Sequence, residues 1–350
     1  MAGLFRLLKM QYTPPTDPRG ISFAGKTVIL TGATSGLGYE AAIKFLNQGV
    51  DSLIIGSRSL ERGHCTKQAL ERYTNRPGVV QVWELEMNSF QSVQKFARRV
   101  NDELQRVDIA LLNAGLWNRE YTKSPEGWEE ILQVNTLSTS LLALLLLPKL
   151  RESSSATEPA HLSVVSSQQF VRVKAESLQT DGALLEHVND EEHFKGPKQY
   201  GISKLLLEYM MKNVADLVRN DDGTLQVIVN TVSPGLCQSS LGRQYNRFYE
   251  RWLVWVMYKL FARTTEQGCR SLVSATVQGA ESQGKCWRSD GYLEYVLMPF
   301  LQCQALTIFS ESIALTTGVK GKSFQAKAWK EILQVLEEQA PDVRDIAQRS

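Results

Sequence analysis

What most constrains this chain is a strict alternation of two kinds of segment. Short, continuously apolar runs take turns with longer stretches of helical pattern. The first run is Lys26 to Thr31, centred on Val28-Ile29-Leu30. It is followed by a helical stretch from Leu37 to Gln48, then Leu53-Ile54-Ile55, then a helix over Glu61 to Tyr73. Val79 to Leu85, Ile109 to Leu112, Leu162 to Val165 and Leu225 to Val232 read as four further strands. Helices are expected between them at Ser89 to Gln105, Trp128 to Leu147 (ended at or just after Pro148) and Tyr200 to Val218. Strands apolar on both faces, separated by helices, imply an α/β chain with a doubly wound parallel sheet covered on both sides.

Composition closes off other classes. Lys and Arg number 39 against 37 Asp and Glu, a net charge of +2 over 350 residues. That balance excludes nucleic-acid binding by bulk charge, and no nucleic-acid partner is expected. The five cysteines, Cys65, Cys237, Cys269, Cys286 and Cys303, are odd in number and widely spaced. Free thiols in a reducing, cytoplasmic setting are expected, not a disulfide framework. The four histidines form no metal-ligand pattern, so no metal site is expected.

The N-terminus has no secretory signal; Leu4, Phe5, Leu7 and Leu8 beside Arg6 and Lys9 read as a packed arm or a short amphipathic anchor. The longest uncharged apolar run, Leu141 to Leu147, is too short to span a bilayer. Residues 13 to 20 are proline-rich and cannot be helical.

The first strand runs into Thr31-Gly32-Ala33-Thr34-Ser35-Gly36-Leu37-Gly38 at the start of a helix. Glycines there let the backbone approach a pyrophosphate, which the helix N-terminus also attracts. Glycines also serve plain turns; the placement between strand and helix favours the nucleotide reading. The second strand ends in Ser57-Arg58, with no carboxylate to hold a ribose 2′-hydroxyl. A guanidinium at that point suits a 2′-phosphate, which favours NADP(H) over NAD(H), unless Arg58 is simply a solvated loop charge.

Tyr200 and Lys204 stand four apart and share a helix face. A phenol is a poor acid–base catalyst at neutral pH until a neighbouring cation stabilises its phenolate. A surface pair would show the same spacing. Ser167 closes the fifth strand and could donate to a substrate carbonyl or cap a turn, with Ser166 as its rival. Asn113-Ala114-Gly115 ends the fourth strand in the same layer. Asn135, among Leu132, Val134 and Leu137, could hold a water or be a satisfied core amide.

Together these motifs, with Ser233-Pro234-Gly235, resemble the short-chain dehydrogenase/reductase family over roughly residues 22 to 275. Within it the chain is similar to the branch of retinol dehydrogenases, WW-domain oxidoreductases and fungal natural-product reductases. The resemblance implies a Rossmann fold and an NADP(H)-dependent oxidoreductase. It makes Tyr200 the general acid, Lys204 the ribose-binding group that lowers the Tyr200 pKa, Ser167 the carbonyl-orienting hydroxyl and Asn135 a support of the proton relay. It places Gly32, Thr34, Ser35, Gly36, Leu37, Gly38, Arg58, Glu86, Asn113, Ala114 and Gly115 on the cofactor, with Pro234, Gly235, Cys237 and Ser239 bordering the nicotinamide. Glu86 stands where an aspartate is usual, and its longer carboxylate changes that contact.

The implied domain plan is a leader at 1–21, a catalytic unit at 22–280 with an insertion at 168–199, and an extension at 281–350 packing on the same unit. Tyr200 lies 33 residues beyond Ser167, and the acidic insertion between them is expected over or beside the pocket mouth. Helices 128–147 and Tyr200–Val218 are where family members often pair, so a homodimer is one expectation. Residues 245 to 261 are rich in aromatic and aliphatic side chains interspersed with arginines. They read as a lid for a bulky hydrophobic substrate, as core or dimer surface, or as a peripheral membrane contact. An amphipathic helix is expected at Trp329 to Glu338. Two further readings stand beside the reductase: a redox-neutral epimerase, isomerase or cyclase, and a non-catalytic NADPH-binding regulator.

Overall fold

The computed structural model describes residues 13–155, 157–220, 222–238, 248–293, 315–316 and 318–348. One eight-stranded sheet organises the chain. Its strands are β1 (Thr27–Thr31), β2 (Ser52–Ser57), β3 (Val80–Glu84), β4 (Ile109–Leu112), β5 (Ala160–Val165), β6 (Val227–Val232), β7 (Cys286–Arg288) and β8 (Gly291–Tyr292). They lie in the order β3-β2-β1-β4-β5-β6-β7-β8. All pairings are parallel except β7 with β8. The chain winds outward from β1 to β3, then returns to place β4 against β1. Between β1 and β4 the strand order reverses, and the loops leaving their carboxyl ends diverge to open a crevice.

The helices fall into two layers because the central strands are buried on both faces. On one face lie α1 (Gly36–Asn47), α2 (Leu60–Thr74) and, much later in sequence, Thr265–Ala275. Phe45, Leu46, Val28, Leu30, Leu272 and Val273 share that core. On the other face lie α3 (Phe90–Glu103), α4 (Glu130–Ser153) and Gly196–Leu217. α3 buries Phe90, Val93, Phe96, Ala97 and Val100, a single stripe at helical spacing. Ser89 starts it by accepting the Ser92 amide.

In chain order the remaining helices are α5 (Leu184–Asn189), α6 (Gly196–Leu217), α7 (Phe248–Phe261), α8 (Thr265–Ala275), α9 (Val319–Gln339) and α10 (Asp342–Gln348).

Several boundaries differ from expectation. α4 does not stop at Pro148; it continues to Ser153 with the proline inside. Pro148 is exposed while its neighbours are buried, so its ring lies on the water side. Within α4, Gln133–Ser138 form a π-helical turn. α4 passes a length and hydropathy test for a membrane span, yet 94% of that window is buried in this fold, so it is a core helix. α6 starts a turn before Tyr200, with Pro197 in its first turn. α9 begins ten residues before the expected Trp329. The strands β7 and β8 and the helix α8 were not anticipated.

The added segments pack back on the unit. α9 lies against α6 and α5, and α10 against α4. Glu331 of α9 accepts the amides of Leu184 and Leu185 at 3.0 and 2.8 Å, capping α5 of the insertion. α9 and α10 thus rest on α6 and α4, the two helices where pairing was expected. The described part of the leader, from Thr13 on, is strapped down as well. Asp17 pairs with Lys44 at 2.8 Å, and Arg270 donates to the Pro15 carbonyl at 3.1 Å.

Candidate active site

The crevice between β1 and β4 is framed by backbone that leaves no room for side chains. Gly32 has φ +68°. A Cβ on Gly38 would sit 2.3 Å from the Gly32 carbonyl oxygen and 2.6 Å from Asn113 Nδ2. The first turn of α1 thus presses directly on the loop. Asn113 fixes the loop from the far side, donating through Nδ2 to the Thr31 and Gly32 carbonyls at 3.1 Å each. The Thr31 hydroxyl accepts the amides of Asn113 and Ala114, both at 2.9 Å. Thr31 was not singled out from the sequence; its position before the glycine was the available signal.

Ser35 is the N-cap of α1, is extended, and makes no side-chain cap; the first turn carries no acidic residue. The opening amides of α1 are thus left for an anion. Thr34 and Leu37 are partly buried beside them. Arg58 is exposed just past the end of β2 on the same side of the crevice. A dinucleotide with an extra phosphate fits this arrangement. Glu86 is less free than expected. Its carboxylate accepts the Asn88 amide at 2.9 Å, while its own amide donates to Ser92 Oγ at 2.9 Å.

The other half of the crevice is made of buried side chains. Tyr200 is half-buried in the first turns of α6, and Ser167, just past the end of β5, stands beside its phenol. Burial raises the Tyr200 pKa, and the neighbouring Ser167 hydroxyl offsets part of the rise. Lys204, one turn along, is buried; its Nζ lies 5.9 Å from the Tyr200 ring centroid and donates to the Val165 carbonyl at 2.9 Å. Desolvation brings its pKa down to about 8. The two serines face different neighbours: Ser167 stands beside Tyr200, whereas Ser166 is buried beside Glu208, near enough to favour the carboxylate but without a hydrogen bond of good geometry.

Asn135 lies in the π turn and is fully buried. Its Oδ1 accepts the Leu116 amide at 2.9 Å. Its Nδ2 donates to the Leu116 carbonyl at 2.9 Å and to Ser203 Oγ at 3.1 Å. Both amide protons are committed, so any part it takes in a relay falls to an oxygen. A Cβ on Gly115 would come 3.1 Å from that Oδ1 and 3.7 Å from Lys204 Nζ. Asn113-Ala114-Gly115, Asn135 and Lys204 therefore meet at one point.

Pro234 and Gly235 follow β6 at the crevice rim. Cys237 is buried, its thiol pushed up to about 12 by desolvation and turned toward the Pro234 carbonyl at 3.5 Å. It contributes shape, since Gly268 of α8 and Leu37 close against it. Ser239 lies outside the described residues, as does Cys303. Arg263, missed from the sequence, ties this rim together. It is fully buried, donating to Ser289 Oγ at 2.9 Å and the Thr13 carbonyl at 3.1 Å. After the rim comes α7, on which Trp252, Trp255, Met257 and Leu260 are exposed. The described cysteines are free thiols.

The comparisons with known proteins agree with this geometry. Residues 26–171 match the short chain dehydrogenase family profile. A short-chain dehydrogenase/reductase of Aspergillus flavipes, ffsI, is 42% identical over 339 residues, covering 96% of this chain and 93% of its own. The protein belongs to the short-chain dehydrogenase/reductase family. Another member, phmF of Phaeosphaeria nodorum, is also 42% identical, over 97% of this chain and 95% of the relative. Among solved structures, the Pseudomonas aeruginosa RhlG/NADP active-site complex superposes with a TM-score of 0.59 at 24% identity, over 77% of this chain and 96% of that one. An NADPH-bound short chain oxidoreductase from the same organism, with an atypical catalytic centre, gives 0.57 at 18% over 77% and 96%. At these identities the structures support the fold, a Rossmann-type parallel sheet, and the family makes this chain an oxidoreductase.

Proposed function

We propose that this member is an NADPH-dependent reductase of a ketone or aldehyde on a bulky hydrophobic molecule, of the kind made in polyketide or terpenoid biosynthesis. The observation that carries the reading is the Ser167–Tyr200–Lys204 cluster, at the crevice lined by the glycine loop. NADPH, when bound, supplies the hydride. The opening amides of α1 and the Arg58 guanidinium would hold its phosphates. Around it, the chain's own groups manage the proton and the carbonyl.

Ser167 donates a hydrogen bond to the substrate oxygen and fixes it beside Tyr200. The Tyr200 hydroxyl then gives its proton to that oxygen as negative charge develops there. The Lys204 ammonium stabilises the phenolate left behind. Gly115 leaves Lys204 room to reach forward, and Asn135 locks Leu116 onto the helix of Tyr200. Read in reverse, the same groups oxidise an alcohol, with Tyr200 as base. The exposed aromatic face of α7, next in sequence to the rim at 234–238, supports an apolar substrate. Lys204 remains a cation below its folded pKa of about 8. Turnover by the free enzyme is thus highest below that pH and falls as pH rises through it.

The test is NADPH oxidation, followed by absorbance, across a panel of hydrophobic aromatic and aliphatic ketones and aldehydes, with NADH in parallel. At least one carbonyl is expected to turn over about tenfold or more faster with NADPH. Tight NADPH binding with no oxidation across the panel would overturn the reductase reading in favour of a redox-neutral or regulatory role.

A further inference from the structure

One buried ionisable group behind the cluster has no part in the mechanism above. Glu208 stands one turn beyond Lys204 on α6, within the apolar run Leu205-Leu206-Leu207-Glu208-Tyr209-Met210. It is 1% exposed. Its Oε2 accepts the Thr231 hydroxyl of β6 at 3.0 Å, while its Oε1 has no hydrogen-bond partner. The Ser166 hydroxyl of β5, equally buried, stands beside it. A carboxylate so placed is costly unless opposite charge faces it.

The groups around it can be named from each packed element. On α6 they are Lys204 one turn before and Lys212 one turn after, the latter donating to the Thr316 carbonyl at 2.7 Å, with Asp216 beyond it. From β5 and β6 come only the Ser166 and Thr231 hydroxyls. From β7 comes the Cys286 thiol, which burial holds neutral. Lys204, for its part, faces the Tyr200 ring and the Val165 carbonyl. Among the described residues, Glu208 is the acidic group whose charge acts on it.

We propose that Glu208 is a positioning residue, the buried counter-charge that keeps Lys204 an ammonium and so keeps Tyr200 a competent acid. This rests on the reductase reading. Burial disfavours the ammonium; the Val165 carbonyl that Lys204 donates to opposes that, and an adjacent negative charge opposes it further. Glu208 supplies it from behind the sheet ends, where it cannot obstruct substrate. The Thr231 hydroxyl holds the carboxylate in place, and Ser166 stands beside it, a position distinct from that of Ser167.

The experiment reads Lys204 directly. Protein labelled with 13C at lysine Cε is titrated by NMR without cofactor, with Lys204→Met assigning the resonance. Glu208→Gln and Glu208→Asp are compared with the parent, and the pH profile of kcat/KM is recorded on the panel's best carbonyl. In Glu208→Gln the Lys204 midpoint falls by at least about one pH unit, and the alkaline limb of kcat/KM falls with it. Glu208→Asp, which keeps the charge one methylene further away, moves both in the same direction by less. It serves alone if the glutamine variant does not fold. A Lys204 midpoint unmoved in whichever variant folds would overturn the proposal, even if activity drops uniformly. The reductase reading fails differently, by turnover that survives Tyr200→Phe in the parent.

Discussion

The two halves of the crevice are built on opposite principles. The glycine-loop half is a matter of exclusion: Gly32 and Gly38 pack so closely that a single added carbon meets a carbonyl oxygen. The Tyr200 half is a matter of inclusion: a phenol, an ammonium and a carboxylate are taken into an apolar helix, the ammonium donating to the Val165 carbonyl and the carboxylate accepting the Thr231 hydroxyl. On the proposed reading, the first half fixes where a cofactor lies and the second how protons move. Damage to the first should appear in binding, and damage to the second in turnover.

Substitutions can separate the two. Ser167→Ala is expected to lower kcat/KM about 100-fold, within the range for loss of a transition-state hydrogen-bond donor, with NADPH affinity nearly unchanged. Ser166→Ala should cost only a few-fold; steady-state kinetics on both would reverse the serine assignment if Ser166 proved the more sensitive. Gly38→Ala forces a methyl against backbone, at a cost of about 1–3 kcal/mol. That corresponds to a loss of NADPH affinity of roughly 5- to 150-fold, measurable by calorimetry. Arg58→Asp should weaken NADPH by about tenfold or more, as expected for a charge-assisted hydrogen bond, and leave NADH nearly unaffected. Equal effects on both cofactors would remove Arg58 from the 2′-phosphate.

A separate effect, on stability alone, lies away from the crevice. His161 on β5 is held neutral by burial and by Lys26, its pKa pushed down to about 4. Its folded pKa is below the ordinary value of about 6.5. The unfolded chain therefore binds the extra proton between those limits, and stability is lost as pH falls from about 6.5 to about 4. His161→Gln should recover up to about 3 kcal/mol of that acid loss. Urea melts at pH 7 and pH 4.5 would show it as a smaller gap between the two midpoints.

The same contrast governs what was legible in the sequence. Backbone demands select residue types, so β1, the glycine loop and the Tyr200–Lys204 spacing could be read directly. Contacts between distant side chains leave no local mark. Glu208 was visible as a charge in an apolar run, but Ser166 and Thr231 come from other strands. Arg263 gave no signal at all, since its partners lie 250 residues upstream and 26 downstream. The start of α9 was hidden because its buried stripe opens with Gly321 and Ala328 before Ile332 and Leu336. β7 and β8 hold three and two residues, too few for a period to show.

The most direct test of the division between the halves is Tyr200→Phe, measured twice on one preparation. NADPH affinity is read by calorimetry, and single-turnover reduction is read on the best carbonyl of the panel. The account predicts affinity within about threefold of the parent and turnover reduced by about 100-fold or more, the usual contribution of a general acid. Turnover that persists, or affinity that collapses together with turnover, would contradict it.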